Sequence, residues 1–389
     1  MSSTWLLFDS GKTLRSRINA CRNVILALSF LLVFVPAFTA QAQDASSQIV
    51  SSQIKAEIER LQQSLKDKPL ADPDMPELNS NIANSLQGAS AALAAGHIYR
   101  SLEQLGQAED FLQGVRCVSE KGGAIKDSLP AFETEWNKAS LQLTALNKSA
   151  QERNWSHANA AIRALAEAAQ GRTMPLLEGS RGFATATNPK DGLFYMGQAQ
   201  GEAAFAVFVS KLNAPHKAAS IPLRSVLPEL EALQEKTNAA FQPPLSIDMH
   251  PRFIQLNATL KFARELDSAR AYAGALYQYL EAVRNYGMLD PKVPDTAKQA
   301  SLRSSIADEL KKSAASKRDD SIAQIFLEKA DGWLTKADGA ATSPDEWRAI
   351  QVILEHVLPA YYAALKPAGP MPQRAAHTAT LTLVRWPYT

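Results

Sequence analysis

Apolar residues recur at steps of three and four along most of the chain, which is the pattern of amphipathic α-helices. The pattern is longest over residues 250–286, where it continues past a one-residue slip. It predicts one long central helix, on the order of 50 Å in length at about 1.5 Å per residue. Pro251 suits the first turn, Asp248 can cap it, and Gly287 can end it in a left-handed conformation. We expect the other helices to pack around this one.

The other helices predicted from the same periodicity are shorter. Residues 192–212 are apolar on all sides, which predicts a buried helix, and Gly197 and Gly201 would let a neighbouring helix approach closely. Residues 172–192, which are rich in glycine and proline, are predicted to be irregular. The shorter helices are predicted within residues 54–65, 77–119, 128–146, 155–171, 192–212, 222–240, 302–310, 322–333 and 343–361.

The end of the chain changes from a helical to a strand pattern. The last predicted helix opens at Ser343 with a capping box and a proline in its first turn, and Pro359 kinks it. The prolines of residues 367–373 cannot continue a helix, and the period then becomes two over Thr380 to Trp386. The sequence therefore predicts an all-α fold, either a multi-helix bundle or an irregular α-superhelix, with one C-terminal β-strand segment.

A lone strand exposes unpaired backbone N–H and C=O groups, which proteins normally cover. The open alternatives for its partner are a short strand at residues 184–187, the same tail in a second copy, and an edge strand of another protein. A tail that packs onto the helices without any ladder is the remaining alternative. Self-association or capture of a protein partner is therefore predicted for the extended tail 373–389, with Trp386 as a candidate binding residue.

The first 42 residues have the three parts of a secretory signal peptide. A basic stretch from Lys12 to Arg22 precedes an apolar run, and Ala40-Gln41-Ala42 supplies an A-x-A cleavage site. An uncleaved membrane anchor is the alternative. The sequence predicts export with cleavage near Ala42 and an extracytoplasmic location, periplasmic or secreted, with membrane contact only through the leader before cleavage.

The mature chain is expected to have two helical regions of nearly balanced charge. Asn213 and the residues after it suggest a boundary between an N-terminal region, 43–213, and a C-terminal region, 214–372. The full chain holds 41 basic and 39 acidic residues, of which the leader contributes four and one, so the mature net charge is −1. Because nucleic acids are bound largely through basic side chains, no nucleic-acid partner is predicted.

Cysteine and histidine give no sign of a metal or redox site. Cys21 leaves with the leader, and Cys117 is then alone and is expected to be a small buried apolar residue. The six histidines are scattered and form no i, i+4 pair of the kind that binds zinc on a helix. We therefore predict no metal site and no cofactor.

Three tyrosines on the predicted central helix are the remaining binding candidates within the helical regions. Tyr272, Tyr279 and Tyr286 are seven residues apart and lie beside the apolar stripe. Aromatic side chains with a polar tip often line grooves and interfaces, although they also close the edges of cores.

The segment around Glu178 resembles the catalytic region of lytic transglycosylases, which are helical, exported, glycan-cleaving enzymes. In that family a catalytic Glu lies in an ES-x-x-F-like segment that precedes a GLMQ-like helix start. Here Glu178-Gly-Ser-Arg-Gly-Phe183 precedes Gly192-Leu-Phe-Tyr-Met-Gly-Gln198. Ser does not follow Glu178, Phe183 is displaced, and the GLMQ tetrapeptide is interrupted. The resemblance covers about twenty residues and implies a general acid in an irregular loop.

Two hypotheses of function follow from the sequence. The first is an exported, non-catalytic helical scaffold or binding protein. The alternative is an extracytoplasmic glycan-cleaving enzyme that uses Glu178.

Overall fold

A computed structural model of the chain describes its helical regions. The tail 373–389 with Trp386 and the leader 1–42 lie outside them. The described residues are 48–67, 76–125, 128–151, 155, 158–185, 188–212, 219–242, 247–290, 292–336 and 339–366.

Over the described residues the fold is helical, which confirms the predicted all-α class. The only β pairing in them is an isolated bridge between Ala219 and Arg318, so the C-terminal strand segment stays a prediction. None of the described helices combines the length and the hydropathy that a membrane crossing requires. The chain divides into two compact units, Met1–Ala218 and Ala219–Thr389.

The described part of the N-terminal unit contains six helices. α1 covers residues 48–67. The others are α2 (Pro76–Ala94), α3 (Ile98–Ile125), α4 (Leu129–Gln151), α5 (Ala160–Phe183) and α6 (Lys190–Ser210).

The apolar helix α6 lies at the centre of this unit, packed mainly against α3 and α5. The sequence predicts this placement, because α6 is apolar on all sides and carries small residues where it meets α3. A methyl group at Gly197 would overlap the carbonyl oxygen of Gln113, and one at Gly201 would lie 2.8 Å from Cα of Asp110. The two backbones are therefore as close as glycine allows.

The prediction that residues 172–192 are irregular is wrong for most of that stretch, since only residues 184, 185, 188 and 189 among the described ones lie outside a helix. Helix α5 continues to Phe183 through Gly171 and Pro175. The missing N–H of Pro175 removes one hydrogen bond of the helix, but the packing of α5 on α6 keeps the chain helical on both sides of it.

The C-terminal unit contains the shorter helices. They are α7 (Leu227–Ala240), α8 (His250–Ser268), α9 (Tyr272–Gly287), α10 (Thr296–Ala315), α11 (Ser321–Leu334), α12 (Pro344–Val352) and α13 (Leu358–Ala364).

The long helix predicted over residues 250–286 is wrong, because the structure has two helices, α8 and α9, in its place. The chain turns at Arg270, whose φ of 61° is left-handed, and the N–H of Ala271 donates to the carbonyl oxygen of Leu266 over 2.9 Å. Two further details of that prediction are also wrong. Asp248 makes no cap, and Gly287 lies in the last helical turn of α9 without a positive φ.

Candidate functional site: a cleft beside a π-helical segment

The last helix of the described chain is interrupted, and the interruption borders a cleft. The capping box at Ser343 forms as predicted and starts α12. Residues Ile353–Val357 then follow in π-helical geometry before α13 begins at Leu358. Pro359 follows directly and has no N–H to donate to the carbonyl of Glu355, so the α-helical bond pattern cannot pass through it. Short π-helical segments are frequent at functional sites, so the surface beside this one is a candidate site.

The cleft runs between α10 and this interrupted helix and has a volume of about 380 Å³. Leu302 and Leu358 are buried and form its apolar floor. The section of α10 from Lys298 to Glu309 lies along it, and the eleven residue steps between these two correspond to a length of about 16 Å. Its lining residues are Lys298, Ser301, Leu302, Ser305, Glu309, Leu354, Glu355, Leu358, Pro359 and Tyr362.

An ion pair spans α10 and the π-helical segment at one end of the lining. Nζ of Lys298 lies 2.6 Å from Oε1 of Glu355. The hydrogen bond from Lys298 lowers the pKa of Glu355, so this carboxylate is charged at neutral pH. Both side chains are accessible to solvent, and their link is therefore one that a ligand can rearrange at little cost.

Tyr362 lies on α13 and is the aromatic member of the lining. Its side chain is 37% exposed, and the Arg318 guanidinium lies 5.4 Å from the centre of its ring. Burial raises the pKa of Tyr362, and the carboxylates of Asp320 and Glu309 raise it further. The phenol is therefore neutral near pH 7 and can donate a hydrogen bond beside an apolar floor.

The neighbour of Tyr362 fixes α13 in place. Tyr361 is fully buried, and its hydroxyl lies 3.1 Å from Oδ1 of Asp320 in the connection between α10 and α11. The rings of Tyr361 and Tyr362 contact each other edge to face at 5.3 Å. Because Tyr361 anchors the helix, Tyr362 is presented to the cleft from a rigid support.

The lining of the cleft has the chemistry of a binding site. The ten lining residues supply an apolar floor, two serine hydroxyls, one phenol, an exposed ion pair and the carboxylate of Glu309. Among the described residues there is no group of three or more metal-ligating side chains that could hold an ion. Apolar contact, hydrogen bonding and ionic contact are therefore the chemistry of this cleft.

The tyrosines singled out by the sequence do not line the cleft. Tyr279 is only 8% exposed, and burial raises its pKa to about 12. Tyr272 and Tyr286 are half-buried at opposite ends of α9, and Trp386 lies outside the described residues. Tyr279 is thus a core residue. Sequence reasoning missed Tyr362, although Pro359 inside an apolar helical pattern marks the place where that helix departs from α geometry.

Glu178 does not have the surroundings that the resemblance to lytic transglycosylases implies. It lies on α5 and is exposed, whereas the resemblance requires an irregular loop. A methyl group at the neighbouring Gly179 would meet nothing within 4 Å, which shows that this surface of α5 is open. The structural premise of a catalytic acid in a loop is therefore wrong.

The N-terminal unit contains a buried charged cluster where α3, α5 and α6 meet. Both Nε and Nη2 of Arg172 donate to the carboxylate of Glu202, the second over 2.8 Å. Burial raises the pKa of Asp110 well above its usual range, and the charge of Glu202 raises it further. Burial therefore favours the neutral form of Asp110 beside the paired charges of Arg172 and Glu202. This cluster joins the three helices.

Cys117, which lies near this crossing of α3 and α6, is buried as predicted, and burial raises its pKa to about 11. Its thiol is therefore not a reactive thiolate at neutral pH.

No family model, no curated protein and no solved structure matches this chain. Its function is therefore argued from the site alone.

Proposed function

We propose that the chain is an exported, non-catalytic helical binding protein that takes a short segment of a partner protein into the cleft between α10 and α13. The observation that carries the proposal is that the cleft coincides with the π-helical segment Ile353–Val357. A π-helical turn has poorer backbone geometry than an α-helical one, so its presence at a ligand-sized cleft favours a role in binding.

The size and chemistry of the cleft favour a peptide segment. A length of about 16 Å matches roughly five residues of extended chain at about 3.3 Å each. The apolar floor of Leu302 and Leu358 would take apolar side chains, and the hydroxyls of Ser301, Ser305 and Tyr362 would pair with backbone polar groups. A tyrosine beside such a floor is the type of residue that dominates binding energy at interfaces.

Export is the part of the proposal that rests on the leader at residues 1–42. The test is the intact mass of the protein recovered from an exporting cell. We expect a mature chain that begins at Gln43, in the fraction outside the cytoplasm. A chain that keeps its leader and sediments with membranes would contradict this part and leave the binding proposal open.

The binding proposal is tested with a phage-displayed library of random 12-residue peptides panned against the full-length protein. We expect selected peptides to be apolar and to depend on Tyr362. Truncation of a tyrosine that anchors an interface costs about 2 kcal/mol or more, so Tyr362→Ala should weaken binding by about 30-fold. Tyr362→Phe keeps the ring and removes only the hydroxyl, and it should retain most of the affinity.

The matched control is Ile254→Ala, because Ile254 is 57% exposed on α8 of the same unit and does not line the cleft. It should leave peptide binding unchanged. Peptides that bind Tyr362→Ala as tightly as the wild type, or a library that yields no binder, would contradict the proposal.

The enzyme alternative has a test of its own. Wild-type protein and Glu178→Gln are incubated with cell-wall glycan, and released fragments are measured by mass spectrometry. We expect no fragments from either protein. Cleavage by the wild type that is abolished in Glu178→Gln would establish the alternative, because the amide cannot supply a proton.

A further inference from the structure

The sequence itself contains a segment with the chemistry that the cleft calls for. Residues 378–388 include one basic residue, Arg385, but no Asp or Glu, and three large apolar residues are close together at Leu381, Leu383 and Trp386. The lining of the cleft has the opposite balance, with Glu309 and Glu355 against Lys298. Charge and apolar character are therefore complementary between the cleft and the end of the chain.

The segment begins a short distance along the chain from the cleft. Tyr362 lines the cleft, and Lys366, the last described residue, follows it by four positions, which is about 6 Å along a helix. The twelve residues from Pro367 to Thr378 can span up to about 40 Å when extended, more than twice the 16 Å length of the cleft. The prolines and glycine among them are typical of a chain that changes direction.

We propose that the cleft is occupied by the C-terminal segment Thr378–Tyr388 of the same chain, which a partner must displace in order to bind. This inference rests on the proposed function, because it assigns a regulator to the same cleft. A tethered segment acts at an effective concentration of about 1 mM, far above the concentration of free protein in most settings. Even with a dissociation constant of about 0.1 mM, the cleft would then be occupied in roughly ten of every eleven molecules.

The first test replaces Tyr362 with the photoreactive amino acid p-benzoylphenylalanine in the full-length protein. After illumination, cross-linked peptides are mapped by mass spectrometry. We expect a cross-link to residues 378–388 in a product that runs at the mass of a single chain. The same amino acid at Ile254, an exposed position of α8, is the control and should give at most a trace of that product.

Each other result of this experiment has a defined meaning. The tail cross-link in a product of twice the mass would show a second copy in the cleft, which overturns the assignment to the same chain. A cross-link at Tyr362 that never includes residues 378–388 would overturn the inference altogether.

The second test measures binding of a fluorescent synthetic peptide with the sequence of residues 374–389 to the full-length protein. In the tail variant that combines Leu383→Asp and Trp386→Ala, the competing segment is disabled. The peptide should then bind about 10-fold more tightly than to the wild type, and Tyr362→Ala in the same variant should abolish that binding.

The two proposals fail in distinguishable ways. A synthetic tail peptide that does not bind, or that binds the wild type and the tail variant equally, overturns the self-occupied cleft. The proposed function then still stands if peptides selected from the random library depend on Tyr362. A library without any binder dependent on Tyr362 overturns the proposed function itself.

Discussion

A methyl group added at Gly197 should destabilise the N-terminal unit, although alanine is the better helix former. It would overlap the carbonyl oxygen of Gln113 and lie 2.7 Å from Cα of Gly114 and 2.8 Å from Cβ of Cys117. Two of these three neighbours are backbone atoms, which cannot rotate away, so α3 and α6 must separate. The added methyl group therefore acts as overpacking between two backbones.

The expected magnitude is the difference between two opposing effects. Overpacking costs about 1–3 kcal/mol, and backbone contacts place Gly197→Ala near the upper end. The gain in helix propensity from Gly to Ala is about 1 kcal/mol. The net loss in the free energy of unfolding should therefore be about 2 kcal/mol, which lowers the melting temperature of a unit of this size by roughly 4–8 °C.

The matched control is Gly182→Ala on α5. Gly182 is also in a helix, but a methyl group there would meet nothing within 4 Å. Its unfolding free energy should rise by about 0.5–1 kcal/mol, so the two variants shift in opposite directions. Urea denaturation followed by circular dichroism measures both. A Gly197→Ala protein as stable as Gly182→Ala would refute the close approach of α3 and α6.

The same separation should be visible at Cys117, which is 4% exposed beside the contact. Alkylation of its thiol by iodoacetamide, followed by mass spectrometry of the peptide that contains it, should be faster in Gly197→Ala than in the wild type and unchanged in Gly182→Ala.

Three further predictions concern single residues. The pKa of Asp110 is raised in the folded state, so the stability that this group contributes is complete below its unfolded pKa of about 3.9 and is lost as pH rises through its folded pKa. Asp110→Asn should therefore flatten the fall of the unfolding free energy with pH, measured by urea titrations between pH 4 and 8. An unchanged pH profile would contradict this prediction. Arg270→Gly should raise the unfolding free energy by about 1 kcal/mol, because glycine adopts the φ of 61° without a Cβ penalty, whereas a decrease would refute the left-handed turn. Ser343→Ala should cost about 1 kcal/mol, because it removes the side chain that accepts from the N–H of Glu346, and a neutral change would argue against the capping box.

The sequence identified the features of the fold that depend on local residue patterns. The apolar, glycine-containing helix α6 and the cap at Ser343 are visible in stretches of about twenty residues or fewer, and both form. Glycine and proline do not end the helix in α5, because packing against α6 outweighs the local cost at Gly171 and Pro175.

The break between α8 and α9 was missed for the opposite reason. Arg270 adopts a left-handed backbone conformation that is common for glycine and uncommon for other residues, and the apolar pattern continues on both sides of it. The cleft could not be predicted either, since it brings Leu302 of α10 beside Leu358, and nothing in the sequence states that these helices are neighbours. The different roles of Tyr361 and Tyr362 could not be predicted for the same reason, because the sequence does not indicate which of two adjacent tyrosines is buried.

The central claim is that the cleft between α10 and α13 binds a peptide segment, and methyl NMR of the full-length protein tests it most directly. A peptide selected from the random library is titrated into protein with labelled leucine methyl groups. The account predicts shifts at Leu302, Leu354 and Leu358, the three leucines of the lining. Shifts confined to leucines away from the cleft, or no shifts at a saturating peptide concentration, would contradict it.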